Sequence, residues 1–214
     1  MVENRIGILG SGDVGRALGR GFARHGWDVM LGTRSPDALE QWADETTGTV
    51  SVGTFDEAAS HGDIVVLAVL GEAAEAVVDM AGPENFEGKL VLDATNPLEF
   101  SEGEAHLLYG GTDSLGERIQ ARIPDASVVK CFNTVTNSQM IDPEFDAETP
   151  PMLICGDDPW AKERTEEMLV ELGWPGAMDV GDIKSARYLE AIVPLWVRVG
   201  SNLGTWSHAF KAVQ

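Results

Sequence analysis

The chain contains little lysine, little cysteine and no long apolar run, and each scarcity excludes a class of protein. Its 214 residues include 35 acidic and 15 basic ones, only five of them lysine, and the formal net charge is −20. A surface this acidic repels nucleic acid and anionic membranes, so neither is expected as a partner. No stretch offers the roughly 20 apolar residues of a membrane span. We therefore expect a soluble, cytoplasmic protein.

Metal binding and disulfide formation have little support in the sequence. The two cysteines, Cys131 and Cys155, lie in apolar, strand-like runs outside any Cys-x-x-Cys motif, which is typical of buried core residues. The four histidines are scattered, and none pairs at a metal-ligand spacing. No metal site is predicted.

The acidic composition has two explanations. In a salt-rich cytoplasm, a dense acidic surface stays hydrated and keeps a protein soluble while salt screens its self-repulsion. The alternative is an ordinary acidic protein, and we carry the halophilic interpretation as a hypothesis.

The stretch from Ile6 to Gly15 carries the clearest motif. Gly10, Gly12 and Gly15 have the G-x-G-x-x-G spacing, after an apolar strand and before an amphipathic helix over residues 16–25. In such a motif the glycines give a tight turn, a close backbone approach to a pyrophosphate and close helix packing, while the helix start holds the phosphates. The sequence therefore predicts dinucleotide binding by residues Gly10, Ser11, Gly12, Asp13, Val14 and Gly15, the alternative being a common glycine turn.

The end of the second predicted strand, 28–32, indicates which dinucleotide. An NAD site usually has a carboxylate there to bind the ribose 2′-hydroxyl. Asp28 stands at the beginning of the strand instead, and the strand is followed by Thr33, Arg34 and Ser35. An arginine between two hydroxyl side chains suits a 2′-phosphate, which favours NADP(H). The alternative is a surface loop in which Ser35 caps a helix that begins at Pro36.

Strand and helix patterns alternate along the rest of the chain. Further strands are predicted at 50–52, 64–70, 89–92 and 128–132, with helices at 37–46, 55–60, 73–81 and 114–122 and an irregular loop over 99–112. This alternation predicts parallel pairing in an α/β fold, a Rossmann-type doubly wound parallel sheet over residues 1–181. Residues 182–214 are predicted as a short C-terminal helical segment interrupted at Pro194 and over 200–204. Because ligands bind at the carboxyl ends of parallel strands, Ala68, Val69 and Leu70 are expected at the cofactor.

An ordered set of motifs resembles the NADPH-dependent deazaflavin (coenzyme F-420) reductase family. The set comprises the glycine turn, Thr33–Pro36, Thr95-Asn96-Pro97, the run 129–135, the run 154–158 and the segment 178–195. The same pattern is similar to the cytosolic oxidoreductase domain of six-transmembrane metalloreductases. The resemblance implies hydride transfer between NADP(H) and a flat tricyclic acceptor stacked on the nicotinamide.

By position in that family, Asn133, Thr134 and Val135 would line the nicotinamide and acceptor pocket, with Asn96 and Pro97 on the neighbouring wall. Asn133 departs from the polar residue that deazaflavin reductases can carry there, so the acceptor stays open between coenzyme F-420 and a flavin. The alternative for Asn133 and Thr134 is a turn that caps the next helix. No residue is assigned as catalytic. Lys130 is interpreted as structural or, less favourably, as a proton donor.

The C-terminal segment repeats apolar residues at helical spacing from Tyr188 to Val199. We favour packing on the last strands with partial closure of the site, and the alternative is the face of a homodimer or a wall of the acceptor pocket. Three functions stay open: a deazaflavin-dependent NADP oxidoreductase, a flavin or ferric reductase using NADPH, and a non-catalytic NADP(H) sensor.

Overall fold

The computed structural model describes residues 4–213, and an eight-stranded sheet forms the centre of the fold. Residues 1–3 and 214, at the ends of the two predicted segments, lie outside this range. The strands of the sheet are β1 (Arg5–Leu9), β2 (Asp28–Gly32), β3 (Thr49–Gly53), β4 (Ile64–Leu67), β5 (Leu90–Asp93), β8 (Ser127–Lys130), β9 (Met152–Gly156) and β10 (Ala177–Asp179). The remaining strands, β6 (Leu98–Ser101) and β7 (Glu104–Leu107), form a separate hairpin.

Eight helices accompany these strands within the described residues. They are α1 (Asp13–Arg24), α2 (Glu40–Glu45), α3 (Phe55–His61), α4 (Gly71–Ala81), α5 (Leu115–Arg122), α6 (Pro159–Glu171), α7 (Ala186–Ala191) and α8 (Val193–Leu203). The predicted helix over 37–46 is in fact a 3₁₀ turn at Pro36–Leu39 followed by α2. Ser35 takes the N-cap position of that turn, but its side chain makes no capping hydrogen bond.

The sheet has the order β10-β9-β8-β5-β4-β1-β2-β3, as expected for a doubly wound α/β fold. The central strand β4, Ile-Val-Val-Leu, is buried along its whole length because both faces of the sheet are covered. Leu18 and Phe22 of α1 belong to the apolar cluster on one face, and Phe55 of α3 and Val77 of α4 belong to the cluster on the other. Six neighbouring strands are parallel, in the order β8-β5-β4-β1-β2-β3, and their carboxyl ends lie at one edge of the sheet.

Two details of the predicted sheet were wrong. Strand β9 pairs with β8 antiparallel, because no α-helix lies between Lys130 and Met152 to return the chain to the same end of the sheet. The predicted strand over 64–70 ends at Leu67, since the chain turns into α4 at Gly71.

The acidic stretch predicted as an irregular loop over 99–112 contains most of the β6–β7 hairpin. Glu102 and Gly103 make its turn, both with positive φ (52° and 82°). This turn conformation matches the twist of a tight hairpin. The stretch is rich in glycine and acidic residues, so its sequence did not predict strands.

The C-terminal segment is more continuous than predicted. Pro194 lies in the first turn of α8, where a proline needs no hydrogen-bond donor, and the helix passes Gly200 to end at the left-handed Gly204. Its apolar residues divide between two environments: Leu189 and Trp196 are buried, while Tyr188 and Leu195 are exposed. Among residues 4–213, every helix is too short or too polar to cross a membrane.

Candidate functional site

The glycine turn joins β1 to α1 with the close contacts that its spacing predicts. Gly10 has φ +129°, and a Cβ there would overlap the carbonyl oxygen of Ala68. A Cβ on Gly15 would overlap the carbonyl oxygen of Gly10. Gly10 and Gly15 are therefore required by packing, whatever binds at the turn.

Gly12 differs from the other two glycines. A Cβ built on it would meet no atom within 4 Å, so this glycine faces open space. Gly12 is also the N-cap of α1, and no side chain caps the helix there. The first turn of α1 therefore presents backbone N–H groups to an approaching anion. Asp13 is exposed and Val14 is partly buried in the same turn.

The end of β2 lies against the glycine turn. The hydroxyl groups of Ser11 and Thr33 are 3.0 Å apart, and the Ser35 N–H donates to Thr33 Oγ1 at 3.4 Å. Thr33 is consequently buried and organises the loop. Arg34 is exposed and forms no hydrogen bond or ion pair with residues 4–213, so its guanidinium is available to a ligand. Asp28 lies at the other end of β2, beside His61.

The residues after β4 border the same turn. Ala68 is buried and extends the pairing of β4, its N–H donating to the Leu9 carbonyl at 2.8 Å. The Val69 side chain lies next to Gly10. Leu70, three residues after the central strand β4, is 73% exposed and leaves an apolar surface beside the turn.

The loops after β5 and β8 are joined by their amide side chains. Asn96 Nδ2 donates to the Asn133 carbonyl at 2.9 Å, and Asn133 Nδ2 donates to Asn96 Oδ1 at 3.0 Å. Asn133 Nδ2 also donates to the Leu189 carbonyl of α7 at 2.8 Å. Thr134 and Val135 follow as buried residues, and Pro97 packs close to Gly71 at the start of α4. The structure therefore joins the two loops that contain the predicted pocket residues through Asn96 and Asn133.

Phe132, immediately before these residues, has a left-handed backbone. Phe132 has a φ of +64°, which is rare for a residue with a bulky side chain, and it is 1% exposed. A conformation of this kind costs of the order of 1–3 kcal/mol and persists where the surrounding structure imposes it. It reverses the chain at the end of β8, so that Asn133 faces both Asn96 and α7.

A buried cluster of three charges beneath these loops was not predicted as a unit. Lys130 Nζ lies 2.7 Å from Asp93 Oδ2 and 2.8 Å from Glu190 Oε1, and it donates to the Thr95 carbonyl at 3.0 Å. All three side chains are at most 3% exposed. Three ionisable residues in otherwise apolar runs were the available signal, because buried charges must pair.

The carboxylates of this cluster also organise backbone. Glu190 accepts the N–H groups of Leu115 and Gly116 at the start of α5, at 2.9 and 3.0 Å. Asp93 Oδ1 accepts the N–H and hydroxyl of Thr95, at 2.9 and 2.6 Å. Asp93 thus has the turn-forming role that its position suggests.

Lys130 is held as a cation. Burial by itself lowers its pKa, but the charges of Asp93 and Glu190 outweigh burial and raise the pKa above its usual value. Its ammonium group lies between the Asp93 and Glu190 carboxylates and donates a hydrogen bond to the Thr95 carbonyl. Because the raised pKa keeps the proton on the nitrogen, a structural role follows.

The cysteines and metal-ligating residues take no part in the site. Burial raises the pKa of both Cys131 and Cys155, the latter to about 12, so both thiols stay protonated and unreactive. Across residues 4–213, no three His, Cys, Asp or Glu side chains are placed to hold a metal ion.

The site is therefore an open cradle at the carboxyl edge of the sheet. On one side it has an uncapped helix start, an open glycine and a free arginine, which suit phosphates. On the other side two braced amide loops form a wall without a free acid or base. The uncapped helix start and the free arginine are the features that suit the phosphates of a dinucleotide.

Comparisons with known proteins show the family and the fold. The sequence profile of the family described as NADP oxidoreductase, coenzyme F420-dependent, matches residues 5–97. Metalloreductase STEAP3 of Rattus norvegicus is 31% identical over 196 residues, which is 90% of this chain; the chain spans only 38% of that protein. The F420-dependent NADP reductase of Methanocaldococcus jannaschii is 25% identical over 90% of this chain and 91% of its own length.

Solved structures give the same result over the whole fold. A putative F420-dependent NADP reductase from an Arthrobacter species has a TM-score of 0.93 and 37% identity, and the match covers 99% of this chain and 100% of that one. An imine reductase from Aspergillus terreus, 18% identical with a TM-score of 0.68 over 95% of this chain and 63% of its own, shares the fold alone. The chain belongs to the F420-dependent NADP oxidoreductase family.

Proposed function

We propose that this protein is an NADP(H)-dependent oxidoreductase that transfers hydride between NADP(H) and a deazaflavin of the coenzyme F420 type. The observation that carries the proposal is the cradle at the glycine turn: Gly12 opens to space beside the uncapped start of α1, and Arg34 is free at the end of β2. Family membership supports the deazaflavin as partner.

Residues of the cradle would hold the cofactor by its phosphates. The N–H groups of the first turn of α1 suit the pyrophosphate, and Gly12 lets the ligand approach the backbone. Arg34 suits the 2′-phosphate, since its planar fork of donors matches phosphate oxygens. Ala68, Val69 and Leu70 would border the ribose and pyrophosphate from the β4 side.

The second wall would orient the rings. Asn96 and Asn133 brace each other, and Pro97, Thr134 and Val135 complete a mostly uncharged surface. When bound, NADPH supplies a hydride from carbon 4 of its nicotinamide. The chain needs no general acid for such a transfer between stacked rings, because holding the two carbons about 3–3.5 Å apart provides most of the catalysis.

A second candidate is a flavin or metal reductase that uses NADPH. The similarity to STEAP3, which is named as a metalloreductase, favours it. Asn133 and the other residues proposed for the second wall do not discriminate between a deazaflavin and a flavin ring. A non-catalytic NADP(H) sensor is the weaker alternative, since a sensor has no need of an open wall facing the nicotinamide.

The decisive experiment is anaerobic oxidation of NADPH by the purified protein, with deazaflavin F420, FMN or ferric chelate as acceptor. The assays are run at low and at molar salt, with NADH as the matched control for the dinucleotide. Turnover with F420 and NADPH, much faster than with NADH or FMN, is the expected result. Tight NADPH binding without turnover on any acceptor would overturn the proposed reaction while leaving the dinucleotide site in place.

A further inference from the structure

The unpaired arginines of this chain are concentrated around the glycine turn. Six of the ten arginines form an ion pair with a carboxylate: Arg5, Arg24, Arg118, Arg122, Arg164 and Arg187. Within residues 4–213, Arg16, Arg20 and Arg34 have no such partner, and the fourth exception, Arg198, lies on α8. Because acids outnumber bases by 35 to 15, three free guanidinium groups in one region are a marked local exception.

Two of these arginines, Arg16 and Arg20, line a groove. It has a volume of about 410 Å³ and lies between the first two turns of α1 and the 3₁₀ turn Asn137–Gln139. Its lining residues are Asp13, Arg16, Ala17, Arg20, Asn137 and Ser138. Asp13 is the one carboxylate among them, so the lining carries a net positive charge in a protein of net charge −20.

The guanidinium groups of the groove are held without being neutralised. Arg16 donates through Nε to the Ser11 carbonyl at 2.8 Å, which leaves its terminal nitrogens available. The Arg20 guanidinium carbon lies 5.7 Å from the centre of the Trp42 ring, a contact that steadies the side chain without cancelling its charge. Asn137 and Ser138 add neutral hydrogen-bonding groups on the opposite side.

The groove is contiguous in sequence with both sides of the candidate site. Asp13 belongs to the glycine turn, and Asn137 follows Asn133, Thr134 and Val135 of the acceptor wall after a single intervening residue. A molecule with its ring at that wall and a side chain of several bonds could therefore extend into the groove. The rest of the acidic surface would repel any anion on that side chain.

We propose that this groove binds the anionic side chain of the hydride acceptor, through its phosphate or carboxylate groups. The inference rests on the proposed function, because it takes the acceptor ring to lie against Asn133 and Val135. Arginine forks match both phosphate and carboxylate oxygens, so the groove selects tricyclic acceptors that carry such groups over those that lack them. Coenzyme F420 carries a phosphodiester and glutamate carboxylates, and FMN carries a phosphate. The deazaflavin alcohol FO and riboflavin have the same rings without them.

The test compares these matched acceptors by binding to the full chain. Dissociation constants for F420 and FO, and for FMN and riboflavin, are measured by equilibrium dialysis at low salt with saturating NADP⁺. Three proteins are used: the parent, Arg20→Gln, and Arg198→Gln as a control that removes the same charge outside the groove. Arg20 is exposed, so its variant is expected to fold.

We expect the parent to bind F420 about tenfold or more tightly than FO, and Arg20→Gln to lose most of that preference. Affinity for FO and for NADPH stays unchanged in Arg20→Gln, and Arg198→Gln behaves as the parent. Salt weakens the preference because it screens the arginines. A preference for FMN over riboflavin assigns the effect to phosphate, whereas a preference confined to F420 assigns it to the carboxylates.

Equal binding of F420 and FO by the parent overturns the inference. So does an Arg20→Gln variant that weakens NADPH, since the groove would then serve the dinucleotide, and so does failure of all four acceptors to bind. Failure of the proposed reaction is a separate result. If F420 or FMN binds preferentially and is not reduced, the groove assignment stands, and the proposal of hydride transfer to that acceptor is rejected.

Discussion

The ammonium group of Lys130 lies 2.8 Å from the carboxylate of Glu190, so a strand of the sheet and a helix of the C-terminal segment meet in a buried ion pair. A second contact joins the same two segments: the Asn133 side chain, three residues after Lys130, donates to the carbonyl of Leu189, the residue before Glu190. The C-terminal segment therefore helps to fix the loop after β8 as well as to cover the core.

Removal of Lys130 is expected to be more damaging than neutralisation of Glu190. Lys130→Met leaves two buried carboxylates without a cation and should lower the free energy of unfolding by about 3–5 kcal/mol. Glu190→Gln leaves the Lys130–Asp93 pair intact, so we expect a smaller loss of about 1–3 kcal/mol. Urea unfolding of both variants and the parent gives the three free energies of unfolding. A Lys130→Met protein as stable as the parent would contradict the structural role.

Alanine at two glycines of the same turn should affect different properties, stability at Gly15 and NADPH affinity at Gly12. Gly15→Ala places a Cβ on the Gly10 carbonyl and is expected to destabilise the fold by more than 1 kcal/mol. Gly12→Ala meets no protein atom, so its free energy of unfolding should change by no more than about 1 kcal/mol while NADPH affinity falls at least about tenfold. Thermal unfolding and NADPH titration separate the two effects. Unchanged NADPH binding in Gly12→Ala would argue against the cradle.

Arg34 should distinguish the two dinucleotides. In Arg34→Gln the dissociation constant for NADPH is expected to rise by about tenfold or more, because a charge-assisted contact to phosphate contributes about 1.5–3 kcal/mol. The constant for NADH should stay the same, since that molecule has no 2′-phosphate. Titration of both cofactors with parent and variant makes the measurement, and equal losses for both would refute the assignment.

The ion pair between Glu117 of α5 and Arg187 of α7 predicts a pH dependence. The Arg187 hydrogen bond lowers the pKa of Glu117 more than burial raises it. A depressed pKa in the folded state gives stability that is present above the unfolded value of about 4.3 and is lost as pH falls through the folded value. Part of the stability loss between pH 5 and pH 3 should therefore disappear in Glu117→Gln.

The effect is expected to be about 1 kcal/mol, because both side chains are partly exposed. Glu163→Gln is the matched control, since the Glu163 side chain is exposed and has no hydrogen bond or ion pair within the described residues. Urea unfolding at pH 7, 5 and 3.5 gives the comparison. If the parent and Glu117→Gln lose the same stability on acidification, the Glu117–Arg187 pair does not contribute to the pH dependence.

The charge of −20 predicts a strong salt dependence if the surface is adapted to a salt-rich cytoplasm. The free energy of unfolding should then rise steeply between low and molar potassium chloride, as salt screens self-repulsion. Urea unfolding at 0.1 M and roughly 2 M salt tests this. A flat response would leave an ordinary acidic protein.

Much of the fold was predictable because its signals are local. The alternation of apolar strands with helices determined the parallel sheet, and the glycine spacing determined the turn at the edge where ligands bind. Arg34 drew attention because it follows the strand whose end carries a carboxylate in an NAD site, and its role toward a 2′-phosphate stays a prediction. The family resemblance implied neighbouring roles for Asn96 and Asn133, and in the structure these two residues are hydrogen-bonded to each other.

Tertiary structure decided what depends on residues distant in sequence. The Lys130–Asp93–Glu190 cluster joins three segments that no local pattern connects, and only their packing makes three buried charges tolerable. The antiparallel β9 depends on the path of a segment without an α-helix, and the left-handed Phe132 is imposed by its surroundings. By itself the sequence determined the fold class and the glycine turn between β1 and α1, because periodicity and spacing are properties of short stretches. The loops after β5 and β8 are held together by long-range hydrogen bonds above a buried ion-pair cluster, and these contacts exist only once the chain has folded.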